Sequence, residues 1–273
     1  GLDISMATAL VMQGEDVSAT LASDNHSLTI KGGFGTVQLG SVGGVGDKMT
    51  RTAHDILGTP DGLTGDLTSF HKSAGTGNLS DDNADLGKDI DDQANITYIL
   101  PTMGGLSAGF TIRDGGANTA QNDDETEIGA KYAFTSGNVE GTLHYGANSQ
   151  DGTTAGATGL DSSSMGIDVT MGNIRAVYAQ SQTDMSATEE TEITDFGVNY
   201  NFGNGMTLGV VQTAVEENTG GETLDVTTVG ASYTIASGLT ASLTYHDYDY
   251  ENGLSNETDD DGSATIFSIV AKF

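Results

Sequence analysis

Hydrophobic and polar residues alternate one by one along much of this chain. One phrase shows the pattern three times, as GAKYAFTSGN at residues 129–138, GVNYNFGNGM at residues 197–206 and GASYTIASGL at residues 230–239. In the second copy, Val198, Tyr200 and Phe202 share one face, and Gly197 and Asn199 share the other, because side chains alternate across a β-strand. Each copy then runs into a turn of small polar residues. The pattern predicts strands with one apolar and one polar face, joined by tight turns.

The same alternation covers most of the chain and predicts about 14 strands. Three of them precede a long polar stretch, at residues 2–12, 25–33 and 34–41, and about 11 follow it. We predict no helix. Short uncharged connections alternate with long acidic ones, and aromatic residues gather at the turn end of the apolar faces. This layout is typical of an all-β, transmembrane antiparallel β-barrel with lipid outside and water inside. The loops of a soluble β-sandwich would not separate by length so consistently.

Composition and charge limit the classes of partner that such a barrel can bind. The 273 residues include 39 acidic and 9 basic ones, which gives a net charge of −30. This balance argues against nucleic acid as a partner, because phosphates require a basic patch, and it favours cations. The chain has no Cys, which excludes disulfides and thiolate metal sites. No run approaches the roughly 18 apolar residues of a membrane helix, but barrel strands do not need one.

Three segments carry a resemblance to a known family. GGFGTVQLGS at residues 32–41 precedes the long polar stretch, and NITYILPTMGGLSAGFTIRD at residues 95–114 follows it. The chain ends in ATIFSIVAKF, where alternate residues up to Phe273 share one face. This last strand is similar to the terminal signal that the outer-membrane assembly machinery recognises. The chain resembles the general-diffusion porins of Gram-negative bacteria.

The resemblance implies both a structure and a function. It implies one 16-stranded barrel domain over residues 1–273, set in the outer membrane among lipid and lipopolysaccharide and assembled as a homotrimer. It also implies that the third long loop, here residues 43–94, folds into the lumen as a constriction. The implied function is a water-filled channel for passive diffusion of ions and small hydrophilic solutes.

The strand count departs from the family pattern. The chain shows about 14 strands where the family has 16. We expect that the first two strands of the family pattern, and the signal peptide that export requires, are absent from this sequence. A true barrel of about 14 strands is the alternative, and it also satisfies the even-number rule.

The charged residues of the predicted lumen suggest its selectivity. By resemblance, the acidic residues of the constriction loop face the pore, among them Asp47, Asp55 and Asp66. Carboxylates held there would concentrate cations and repel anions. The basic residues at inward positions of the wall are Lys31, Arg113, Lys131 and Arg175. They are fewer than the dense basic cluster of the family, so we predict a cation-preferring pore.

One segment of the loop has the spacing of calcium ligands. Asp81, Asn83 and Asp85 fall at positions 1, 3 and 5 of a calcium loop, and Asp92 falls at position 12. The Gly that such a loop needs comes one place late, at Gly87. The four residues are therefore either a calcium site or part of a solvated acidic loop. We expect no other cofactor.

Enzymatic motifs are absent from the sequence. It has no Gly-x-Ser-x-Gly elbow, no phosphate-binding loop and no His-Glu-x-x-His pair, so we expect no enzyme. Two other functions stay open beside general diffusion. One is a substrate-specific outer-membrane channel, and the other is a non-transporting, acidic, calcium-binding adhesin.

Overall fold

The computed structural model describes most of the chain. The described residues are 1–12, 21–57, 84, 86, 94–114, 124–151, 159–184, 190–218, 220–251 and 259–271. Within this part, no helix has the length and apolar character needed to cross a membrane.

The described residues contain fourteen antiparallel strands in one sheet, in which each strand pairs with its neighbours in the sequence. The strands are β1 (Asp3–Met12), β2 (Leu21–Gly32), β3 (Gly35–Ser41), β4 (Ala94–Ile99), β5 (Leu106–Arg113), β6 (Glu125–Ser136), β7 (Val139–Gln150), β8 (Leu160–Met171), β9 (Ile174–Asp184), β10 (Glu190–Asn201), β11 (Met206–Glu217), β12 (Thr223–Ala236), β13 (Leu239–Glu251) and β14 (Asp260–Ala271). The pairings among the described residues include none between β1 and β14. The predicted all-β fold, with three strands before the long stretch and eleven after it, is confirmed.

One face of the sheet, which we call the outer face, is apolar and exposed. Phe110, Phe196 and Phe267 are 42%, 51% and 65% exposed. Near the short turns, Tyr200 and Phe202 meet edge to face with their ring centroids 4.8 Å apart. So large an exposed apolar surface is unusual in a water-soluble monomer, whereas a barrel presents such a band to lipid.

The opposite face, which we call the inner face, carries polar residues along β4–β8. One row of directly paired residues crosses five strands from β4 to β8 and consists of Thr97, Thr111, Glu127, Asn148 and Ser162. All five side chains are buried. A sheet with a polar inner face and an apolar outer face is the wall of a water-filled barrel.

The tight turns depend on glycine at several places. Gly137, Gly172 and Gly238 lie in two-residue connections and have φ values of 64°, 61° and 77°. A residue with a Cβ loses roughly 1–2 kcal/mol of stability in this left-handed region. Glycine at these positions therefore stabilises the hairpins. The long connections are shorter than the sequence pattern predicts, because the strands continue into the acidic segments. For example, β7 reaches Gln150 and β8 begins at Leu160.

The described residues between β3 and β4 include two short helices, where we predicted none. They are α1 (Val45–Met49) and η1, a 3-10 helix (Ala53–Ile56). Helices of five and four residues are too short to show a period of 3.6 residues in a sequence. Both belong to the inner loop, residues 42–93, of which 42–57, 84 and 86 are described. Helix α1 packs on strands β4–β7, and η1 packs on β9–β11.

Candidate functional site

Helix α1 rests on a row of glycines. Gly109, Gly129 and Gly146 are paired side by side on β5, β6 and β7, on the inner face. A Cβ at Gly109 would lie 2.9 Å from Val45 Cγ2, and one at Gly129 would lie 3.0 Å from Met49 Cγ. Contacts this short force a neighbour to move, so only glycine lets the helix lie flat against the wall. We call these three glycines the first seat.

Helix η1 and Leu57, the residue after it, pack on a second set of glycines. Gly197, Gly209 and Gly230 lie on the inner face of β10, β11 and β12. A Cβ at Gly197 would lie 2.5 Å from Ile56 Cδ1, and one at Gly209 would lie 2.9 Å from Leu57 Cδ2. We call these glycines the second seat.

Apolar residues of the wall complete the second seat. Val177 and Val211 are each 1% exposed and cluster with Ala53, Ile56 and Leu57. Closer to the long connections, Ala84 packs into another buried cluster with Ile193, Val215, Leu224, Val226 and Tyr250. The inner face is therefore not uniformly polar. Where the inner loop covers β9–β13, burial of apolar side chains holds the loop to the wall.

One buried carboxylate of the wall contacts the inner loop at two places, at His54 and at Ala84. Asp195, on β10, is 0% exposed, and its Oδ2 accepts a hydrogen bond from the backbone N–H of Ala84 at 2.7 Å. Its Oδ1 accepts one from the Thr213 hydroxyl at 2.8 Å and lies 4.0 Å from His54 Nε2. His54 Nε2 is 2.9 Å from Thr213 Oγ1. We call Asp195, Thr213 and His54 the latch, because they hold η1 and Ala84, two distant parts of the inner loop, at one point of the wall.

Polar contacts also tie the loop backbone to the strands. The Val45 N–H donates to Thr111 Oγ1 at 2.8 Å, and Lys131 Nζ donates to the Lys48 carbonyl at 3.1 Å. Asn199 Nδ2 donates to the Ile56 carbonyl. Each of these groups would lose water on burial, so a partner on the wall is required. The described part of the inner loop is therefore held against the inner face of the sheet by both apolar and polar contacts.

The whole chain matches one protein-family model, described as Gram-negative porin, over residues 1–273. This chain belongs to the Gram-negative porin family. The porin lies in the bacterial outer membrane, and its sheet is the wall of a porin β-barrel. The predicted family, fold class and location are confirmed.

Solved porin structures share this fold at low sequence identity. An anion-selective porin from Comamonas acidovorans has a TM-score of 0.58 and 14% identity, covering 92% of this chain and 77% of that one. The outer membrane channel DcaP of Acinetobacter baumannii has a TM-score of 0.63 and 8% identity, covering 99% and 81%. Another porin has a TM-score of 0.58 and 14% identity over the full length of both chains. A search of curated proteins finds no match.

The porin's predicted pore-lining residues lie in different environments. Asp47 is exposed on α1, on the side away from the buried Val45 and Met49. Lys31 is exposed on the inner face of β2. Arg113 is only 8% exposed, and its Nη2 lies 2.5 Å from Glu125 Oε2 in a buried ion pair. Its charge is therefore neutralised inside the wall.

Lys131 and Arg175 lie nearer the short turns. Arg175 donates from Nε and Nη2 to both oxygens of Asp168, with the shortest contact at 2.6 Å. Lys131 is part-buried beneath α1. The structure thus brings Lys131 together with the loop, and places Lys31 and Arg113 elsewhere on the wall.

Six predicted positions fall outside the described part of the porin. These are the side chain of Asp55 and the whole of Asp66, Asp81, Asn83, Asp85 and Asp92. Across the residues that are described, no group of three or more His, Cys, Asp or Glu side chains could hold a metal ion. The calcium site therefore stays a prediction.

The latch and the two seats were not predicted from the sequence. The sequence did carry one signal for each. Asp195 is a charged residue at an inward position between Ile193 and Gly197. Gly129, Gly197 and Gly230 are the first residues of the three repeated phrases. A small residue at the same inward position of several strands indicates that another segment packs there.

Proposed function

We propose that this porin is a water-filled, cation-preferring channel for the passive diffusion of ions and small hydrophilic solutes, without catalytic activity. The observation that carries the proposal is the position of the inner loop. Both described helices lie along the wall from β4 to β11, held by glycine seats and the latch. The described parts of the loop are thus fixed against the wall, where a segment narrows a passage that water and solutes can still use.

Charge supports the cation preference. The chain has 39 acidic and only 9 basic residues. Many of the carboxylates lie where the strands meet the long connections, including Asp184, Glu190, Glu217, Asp259 and Asp260. Of the lumen cations, Arg113 and Arg175 are each paired with a carboxylate. A negative potential at a channel mouth raises the local concentration of cations and lowers that of anions.

Planar bilayer recording tests this function. In a KCl gradient, we expect stepwise conductance with a reversal potential on the potassium side of zero. Asp47→Asn should shift the reversal potential toward zero, because Asp47 is an exposed carboxylate on the loop. Asp225→Asn is the matched control, since Asp225 is exposed on the outer face of β12. A reversal potential on the chloride side would overturn the cation preference, and folded protein without conductance would overturn the channel.

We also propose that the porin assembles as a homotrimer surrounded by lipid and lipopolysaccharide. One of the similar solved structures is a trimer form of OmpT from Vibrio cholerae, which supports this assembly. Native mass spectrometry of the porin released from detergent tests it. A mass of three chains is expected, whereas a single chain over a range of gentle detergents would contradict the proposal.

A further inference from the structure

A small cavity lies on the inner face beside the end of α1, on the side of the short turns. Its volume is about 220 Å³. Its polar lining consists of Arg51, Thr102, Ser107, Lys131, Thr142 and Asp168. Arg51 comes from the inner loop, and the other five come from β5–β8 and the turn before β5. The cavity is thus formed between the loop and the wall.

The carboxylate in this cavity is already neutralised. Asp168 receives hydrogen bonds from Arg175 Nε at 3.0 and 3.2 Å and from Nη2 at 2.6 Å. In this geometry the guanidinium contacts both oxygens of the carboxylate and so offsets its charge directly. Asp168 therefore contributes little net negative charge to the cavity.

The two cations of the cavity are not neutralised by carboxylates among the described residues. Lys131 donates to the carbonyl of Lys48 at 3.1 Å, and Arg51 donates to the carbonyl of Thr50 at 2.9 Å. The ion pairs of the described residues involve neither of them. Two positive charges facing one cavity repel each other, and a bound anion would relieve that repulsion.

Hydroxyl groups extend the donor set. Thr102 Oγ1 and Ser107 Oγ lie 2.9 Å apart, so one of these hydroxyls donates to the other and leaves the second free to donate elsewhere. Thr142 lines the same cavity. A guanidinium, an ammonium and hydroxyls are the groups that bind carboxylate and phosphate oxygens.

We propose that this cavity is a binding subsite for the anionic group, carboxylate or phosphate, of a small solute in transit. The subsite rests on the proposed channel function and adds a solute class to it. Its volume is below the roughly 300–1,000 Å³ of sites that hold drug-sized ligands, so it fits one small group. The acidic mouth disfavours free anions of high charge. A solute that carries one carboxylate or phosphate and also an ammonium is attracted by both sites. Its ammonium is attracted by the acidic residues at the channel mouth, and its anionic group by the subsite.

Channel block by small anions tests the subsite. Single-channel current is recorded in 0.1 M KCl while acetate or inorganic phosphate is added to either compartment. We expect a concentration-dependent decrease of the current in the natural porin. Arg51→Gln and Lys131→Gln should each raise the half-blocking concentration about tenfold, the cost of losing a charged hydrogen bond. Lys272→Gln, which removes the same charge from the end of the chain after β14, should leave the half-blocking concentration unchanged. Block by acetate alone identifies a carboxylate subsite, and block by phosphate alone identifies a phosphate subsite.

Titration calorimetry in detergent separates the subsite from the channel. Phosphate and acetate are titrated into the natural porin and into the Arg51→Gln and Lys131→Gln variants, each with a confirmed β-sheet circular dichroism spectrum. Binding that both variants lose supports the subsite even if no conductance is seen. Conductance without block and without heat of binding overturns the subsite and leaves the channel standing. An equal rise of the half-blocking concentration in Lys272→Gln also overturns the subsite, because general charge attraction would then explain the effect.

Discussion

The carboxylate of Asp195 accepts a hydrogen bond from the backbone N–H of Ala84 at 2.7 Å, across 111 residues of sequence. The same carboxylate accepts a hydrogen bond from Thr213, which in turn contacts His54 of η1. One fully buried side chain therefore holds two distant parts of the inner loop to β10. The position of the loop depends on this point of the wall.

Asp195→Asn should destabilise the porin. An amide at this position keeps one acceptor oxygen but turns a donor group toward either Ala84 or Thr213, so one buried donor loses its partner. We expect the free energy of unfolding in urea to fall by about 1–3 kcal/mol, the cost of an unsatisfied buried group. Asp247→Asn, an exposed position on the outer face of β13, is the control. An equal loss of unfolding free energy in the two variants would contradict the role of Asp195 in holding the loop.

Gly129→Val should move α1 away from the wall. A Cβ at this position already lies 3.0 Å from Met49 Cγ and from the Val45 carbonyl oxygen, and the two methyl groups of Val need more space. We expect the displaced helix to narrow the passage and to lower the single-channel conductance. Ala130→Val adds the same branched side chain to the outer face of β6 and should leave the conductance unchanged. An unaltered conductance in Gly129→Val would show that the first seat does not set the position of α1.

The two arginine–carboxylate pairs should differ in their contribution to stability. Arg113 and Glu125 are 7% and 5% exposed, so Arg113→Gln leaves a buried carboxylate without its counter-charge. We expect a loss of about 3–5 kcal/mol in the free energy of unfolding. Arg175 and Asp168 are 30% and 18% exposed, and water screens them more. Arg175→Gln should therefore cost about 1 kcal/mol or less. Similar losses in the two variants, measured by urea unfolding, would refute this ranking.

Cation preference should decrease with salt. If the carboxylates around the mouth create the preference, their field extends about 10 Å in 0.1 M salt but only about 3 Å in 1 M salt. Reversal potentials in KCl gradients of equal ratio should therefore give a lower potassium-to-chloride permeability ratio around 1 M than around 0.1 M. A ratio that does not change with salt would place the selectivity in a narrow, desolvated filter instead.

Calcium binding at Asp81, Asn83, Asp85 and Asp92 can be tested in solution. If these residues form a calcium loop, titration of Ca²⁺ into the porin should release heat that Asp81→Ala abolishes. Asp259→Ala, directly before the first residue of β14, is a control that removes one carboxylate elsewhere. The same heat in the natural porin and in Asp81→Ala would eliminate the site.

The strands could be predicted from the sequence because their signal is local. Period-2 alternation places Val198 and Tyr200 on one face whatever else the chain does, and membrane and lumen then impose opposite polarity on the two faces. The short helices could not be predicted. Val45–Met49 and Ala53–Ile56 are helical because the seats and the latch hold them, and neither segment is long enough to be stable by itself.

The sequence by itself determined the all-β class, the order of the strands, the two faces of the wall and the acidic character of the porin. Each of these follows from neighbouring residues or from composition. Only the tertiary structure decided that Gly129 and Gly197 are seats, that Asp195 is a latch and that Arg113 is neutralised by Glu125. These roles depend on contacts between segments far apart in the chain, and a residue's own position in a strand does not specify its distant partner.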